Sequence, residues 1–138
     1  MDVFRPDTSN TIELPLFTTH IPAGFPSPAD DFIENKLDLN ELLIKHPVAT
    51  FFVRVQGDSM INAGIHNSDI LVVDRSLEAK HNKIIIAVIN GELTVKRLIQ
   101  KDRQTFLFAD NPKYKPVQIT QEMAFQVWGV VTSVIHTL

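Results

Sequence analysis

Phe51-Phe52-Val53-Arg54-Val55 runs through Gln56 into Gly57-Asp58-Ser59-Met60. Five residues rich in Phe and Val predict a strand. A Gly-Asp pair beside a small hydroxyl residue breaks that run and predicts a turn. The result is a serine presented at a strand end. Taken alone, this is an ordinary turn serine. It gains meaning from a lysine in Glu92-Leu93-Thr94-Val95-Lys96-Arg97-Leu98. A serine hydroxyl becomes a nucleophile only with a base beside it, and a lysine shielded from water can be that base.

Around this stretch the chain reads as mostly β. Candidate strands are Phe51 to Val55, Ile70 to Val73, Lys83 to Ile89, Glu92 to Ile99, Thr105 to Phe108 and Phe125 to Ile135. Asn90-Gly91 between two of them predicts a tight hairpin, because both turn positions demand positive φ. Asn111-Pro112 marks another loop, and Gly129 predicts a bend or bulge in the last strand. Strand alternation sets Lys96 on the face of Thr94 and Leu98, opposite Leu93, Val95 and Arg97. A strand directs a side chain firmly, which suits a catalytic base. A solvated strand lysine is the alternative reading of the same residue.

The first 28 residues hold five of the eight prolines: Pro6, Pro15, Pro22, Pro26 and Pro28. Proline fixes φ and lacks a backbone donor, so this segment resists helix and central strand. We read residues 1–28 as an extended arm with a strand-like piece at Ile12 to Phe17, and residues 29–138 as the folded domain. Within the arm, Ala23 and Gly24 leave a sterically open peptide bond. The flanking Pro22 and Pro26 favour the extended backbone that a protease cleft accepts as an added strand. A plain linker turn is the alternative. Ser27-Pro28-Ala29-Asp30 carries helix-start signals and predicts a short helix through about Asn35. Asp38-Leu39-Asn40-Glu41 repeats the pattern, with Pro47 as the stop.

Composition narrows the classes. With 138 residues, 44% of them hydrophobic, the chain can bury one modest core. A net charge of −3 argues against direct, specific DNA binding. Cysteine is absent, which removes disulfides, thiolate zinc sites and cysteine nucleophiles. No stretch is long and apolar enough to span a bilayer, and the N-terminus lacks the pattern of a secretion signal. A cytoplasmic protein with no membrane partner is expected. The five histidines, His20, His46, His66, His81 and His136, show no metal-ligand spacing, so no metal and no other cofactor is expected. Spacing alone leaves a Ser-His-Asp triad open, since triad members lie far apart in sequence. Trp128 and the phenylalanines read as core.

Taken together, Gly57-Asp58-Ser59-Met60 and Leu93-Thr94-Val95-Lys96 resemble the LexA/UmuD family of self-cleaving serine peptidases. The 37-residue separation of Ser59 and Lys96 suits the family pattern. Phe17, Gly24-Phe25-Pro26-Ser27-Pro28-Ala29, Asp38-Leu39-Asn40 and Leu42-Leu43-Ile44 carry the likeness over the rest of the chain, and the arm before Ile21 carries it weakly. The resemblance implies a strongly bent, mostly β sheet structure that forms homodimers. It implies Ser59 as nucleophile, Lys96 as general base, backbone N–H groups around Asp58 and Ser59 as the oxyanion hole, and Ala23–Gly24 as the bond cut. Ala23 stands where some members have Cys, while Ala–Gly is the usual pair in the wider family. The implied partners are a RecA–single-stranded DNA filament that stimulates cleavage and a UmuC-type subunit that the trimmed dimer joins to form an error-prone polymerase. Two alternatives remain: a LexA-like repressor peptidase domain, disfavoured by the short proline-rich arm, and a non-enzymatic interaction module.

Overall fold

The computed structural model describes residues 2–17 and 33–138, with the side chains of 15–17 and 33–36 left aside. Two compact units are formed: Met1–Pro6 with His46–Leu138, and Asp7–Lys45.

The larger unit is an antiparallel sheet of eight strands, and the chain is mostly β as its residues predict. In chain order the strands among the described residues are β1 (Val3–Phe4), β2 (Glu13–Phe17), β3 (Ile33–Asp38), β4 (Thr50–Arg54), β5 (Ile70–Asp74), β6 (Ile84–Ile89), β7 (Glu92–Lys101), β8 (Gln104–Phe108), β9 (Val117–Gln118) and β10 (Phe125–Ile135). The large sheet runs β1-β4-β5-β10-β6-β7-β8-β9. The last long strand thus lies between β5 and β6, which are consecutive in sequence.

Apolar residues on both sides of this sheet form two buried clusters. One joins Val53, Val55, Met60, Ile65, Leu71, Val73, Ile86 and Val95. The other joins Ile85, Ala87, Leu98, Leu107 and Val130. Adjacent residues such as Ile85 and Ile86 fall in different clusters, as period-2 alternation demands. Near-continuous apolar runs such as Ile84–Ile89 follow, because both faces of the strand are covered.

The β6–β7 hairpin turns at Asn90 and Gly91, whose φ values are 50° and 83°. This fits the positive φ that the Asn-Gly pair signals. In register, Lys96 stands opposite Ile85 and Val95 opposite Ile86. Along β10 the pairing with β6 shifts between Val127 and Gly129, so the expected irregularity at Gly129 is present. A methyl group there would lie 2.5 Å from Val73 Cγ1, so the strands approach too closely for a side chain. The start of the chain is a sheet edge: Val3 and Phe4 pair with Val53 and Phe52, and Arg5 lies over the Phe51 ring.

The smaller unit contains the β2–β3 ladder and α1 (Leu39–Leu43). Asp38 caps α1 by accepting from the Asn40 N–H at 3.1 Å, as its sequence signal predicts. The helix expected through Asn35 is corrected in its described part, since Ile33 to Asn35 belong to β3. Pairing with Glu13–Phe17 supplies ladder hydrogen bonds that a local capping signal cannot match. Pro15 is tolerated because a two-stranded ladder has only edge strands. Residues 28–32 of that expected helix lie outside the described residues. No helix among the described residues is long and apolar enough to cross a membrane.

Candidate active site

The serine turn follows β4. Gly57 has φ 95°, a conformation open to glycine, and its N–H donates to Asn67 Oδ1 at 2.8 Å. Two residues later, Ser59 is half-buried, while the neighbouring Met60 is only 1% exposed and sits in the first cluster. Met60 therefore anchors the turn in the core and leaves Ser59 at its rim. A single 3-10 turn, Ile61–Ala63, follows and closes on Gly64.

Strand β7 brings the lysine. Lys96 Nζ donates to Ser59 Oγ at 3.1 Å. Burial of the ammonium lowers the Lys96 pKa below its ordinary value, because the charged form loses hydration. Among the described residues no carboxylate forms a salt bridge with Lys96 to restore that charge. The Tyr114 ring lies 6.0 Å from Nζ, at the outer limit of a cation–π contact, and desolvation prevails. Beside the pair, Gln56, Ser59, Leu93, Thr94 and Val95 line a cleft of ≈ 200 Å³.

A third segment, residues 110–114, braces the turn. Asn111 Nδ2 donates to the Asp58 carbonyl at 3.0 Å, and the Tyr114 hydroxyl donates to Asp58 Oδ1 at 2.5 Å. That phenol bond lowers the Asp58 pKa and raises that of Tyr114. Asp110 accepts from the Asn62 N–H through its carbonyl, while its own N–H points at Met60 Sδ. The guanidinium of Arg97, next to Lys96, grips the Asp110 carboxylate through Nε and Nη2. Arg97 and Lys96 are adjacent on β7, so one strand both presents the lysine and holds the loop that braces the serine.

Ser59 and Lys96 are thus brought together, with Asp58 beside them. Ala23 and Gly24 lie outside the described residues. The four described histidines have other partners: His46 meets Asp74, His66 and His136 meet Asp69, and His81 accepts from the Gln100 N–H. The bracing residues Asn67, Asp110, Asn111 and Tyr114 carry no sequence motif, and only the Asn111-Pro112 loop signal hints at a structured turn there. Folding also gathers His66, Asp69 and His136, with one donor atom from each lying within 4.8 Å of the others. The histidine spacing in sequence did not anticipate that cluster, because 70 positions separate its two imidazoles.

A half-buried lysine against a serine at a strand-end turn is an arrangement in which an amine can activate a hydroxyl. Residues 15–132 match the Peptidase S24-like family, and the chain belongs to it. It is similar to Protein SamA of Salmonella typhimurium, 50% identical over 122 residues, covering 88% of this chain and 84% of that one. Protein ImpA of Escherichia coli is 45% identical over 132 residues, covering 95% and 89%. The LexA repressor of Psychromonas ingrahamii is 36% identical over 118 residues, covering 85% of this chain but 56% of the repressor.

Proposed function

We propose that this protein is a self-cleaving serine peptidase of the UmuD type that acts in the response to DNA damage. The observation that carries the reading is the 3.1 Å contact between Lys96 Nζ and Ser59 Oγ at a site that disfavours the charged lysine. Neutral Lys96 takes the hydroxyl proton as Ser59 Oγ attacks the carbonyl carbon of Ala23. The C–O bond forms, and backbone N–H groups around Asp58 and Ser59 hold the oxyanion. The protonated lysine then gives its proton to the Gly24 nitrogen as the C–N bond breaks. Water, deprotonated by the same lysine, hydrolyses the acyl ester and restores Ser59. The ≈ 200 Å³ cleft beside Ser59 offers room for small residues at the cut bond.

The family membership and the resemblance to UmuD support the wider role. Cleavage is stimulated by a RecA–single-stranded DNA filament, and the trimmed homodimer serves a UmuC-type polymerase subunit. Residues 1–28 act as the cleavable arm and residues 29–138 as the peptidase domain.

Intact mass before and after incubation with activated RecA filaments tests this. A new fragment starting at Gly24, absent from Ser59→Ala and Gly24→Glu, is the expected result. An unchanged mass under all conditions sinks the reading.

A further inference from the structure

The strongest unassigned feature is the side-chain cluster His66, Asp69 and His136. His66 and Asp69 flank the turn that enters β5, and His136 follows the end of β10. Asp69 is 4% exposed, whereas both imidazoles are open to solvent. His136 Nδ1 lies 2.5 Å from Asp69 Oδ1, and His66 Nδ1 lies 3.6 Å from Asp69 Oδ2. The two rings are 4.5 Å apart between centroids and tilted by 35°. The carboxylate is buried and faced by two imidazole nitrogens.

We propose that His66, Asp69 and His136 form a binding site for a divalent cation of the zinc class. Two imidazole nitrogens and one carboxylate are a donor set suited to zinc, and they leave a further position for water. Tetrahedral bonds of the usual length separate neighbouring donors by about 3.3 Å. The 3.6 Å from His66 Nδ1 to Asp69 Oδ2 is close to this spacing, and the carboxylate meets His136 through its other oxygen, Oδ1. The His136–Asp69 hydrogen bond opens by less than about 1 Å to reach that spacing, a small movement for a partly exposed side chain beyond the strand end. A supporting bond is also present: the His66 N–H donates to Asp69 Oδ2 at 2.7 Å and fixes the carboxylate.

The site has a structural consequence. Asn67 lies between two of the ligands in sequence, and its side-chain oxygen holds the Gly57 N–H. The Ser68 N–H donates to the Val55 carbonyl, and the Val55 N–H to the Asp69 carbonyl. An ion on His66, Asp69 and His136 therefore fastens the end of β10 to the loop that supports the serine turn.

The test uses the full chain, stripped with a chelator and titrated with Zn²⁺ by calorimetry, with Co²⁺ absorption as a second readout of coordination. One ion per chain is expected, together with a Tm that rises with Zn²⁺ concentration. His66→Ala and His136→Ala should each weaken binding at least tenfold, while His20→Ala and His81→Ala leave it unchanged. Because His66 and His136 are exposed, both variants should fold, and circular dichroism checks this. No stoichiometric binding, or unchanged binding in the folded His66→Ala/His136→Ala double variant, overturns the site. Neither result depends on peptidase activity, so failure here and failure of the peptidase reading are distinguishable.

Discussion

Tyr114 hydrogen-bonds the carboxylate of Asp58 across 56 residues of sequence and thereby steadies the residue that precedes Ser59, the proposed nucleophile. The bond favours a neutral phenol and an ionised carboxylate, as the opposite directions of their pKa shifts record. Tyr114→Phe keeps the ring and removes the donor. Self-cleavage should slow by roughly threefold to tenfold, because a small misplacement of a nucleophile is costly. Since Tyr114 is 40% exposed, the melting temperature should hardly move. A time course of fragment yield beside a thermal melt measures both.

With Lys96 as the proposed base, cleavage should depend on pH. Burial depresses its folded pKa below 10.5, and only the neutral amine accepts the Ser59 proton. Below that depressed pKa the neutral fraction grows about tenfold per pH unit, so the rate should climb with pH and level off above it. Lys96→Ala and Lys96→Arg should both abolish the climb, since arginine stays protonated. Fragment yield across a pH series, with folding checked at each point, decides. A wild-type rate independent of pH would remove lysine as the base.

Gly129 predicts a packing defect on substitution. A Cβ there would lie 2.5 Å from Val73 Cγ1, and Val73 is fully buried. Gly129→Ala should cost about 1–3 kcal/mol through overpacking. Adding Val73→Ala, which removes the clashing methyl groups, should make the double variant more stable than additivity allows. Urea unfolding of the two single variants and the double variant measures the coupling.

Asp74 predicts part of the acid limit of stability. Burial raises its pKa, but bonds from the Ser76 hydroxyl, His46 and the Ser76 N–H outweigh this and lower it. A folded pKa below the unfolded value means that Asp74 contributes fully above about 3.8. Its contribution is lost as pH falls from there through the folded value. Asp74→Asn should therefore be less stable than wild type at pH 7, and the gap should shrink as acid is added. Equal losses in both proteins between pH 5 and pH 2 would contradict this.

The strands of the large sheet were legible because their cues are local. Runs such as Ile84–Ile89, the Asn90-Gly91 turn and the glycine at 129 each announce themselves within a few residues. Asp38 and α1 were legible for the same reason. Ile33–Asn35 misled because its pairing partner lies some twenty residues upstream, where no helix-start signal can register it. The two-residue strands β1 and β9 carry too little pattern to be seen at all. At the site, Ser59 and Lys96 were found through motif and spacing. Asn67, Asp110, Asn111 and Tyr114 act through single contacts brought about by tertiary structure. The His66–His136 pair escaped notice for the same reason: its members meet only because the end of β10 pairs with the start of β5.

The insertion of β10 between β5 and β6 has a consequence for biosynthesis. Ser59 hangs from β4 and Lys96 from β7, and these strands lie on opposite sides of β10 in the sheet. The β6–β7–β8 meander can form as soon as it emerges from the ribosome, since its contacts are local. In the sheet it is joined to β4 and β5 through the strand that ends at Ile135. A chain translated only as far as β9 thus lacks the strand that joins the half bearing Ser59 to the half bearing Lys96 in the sheet.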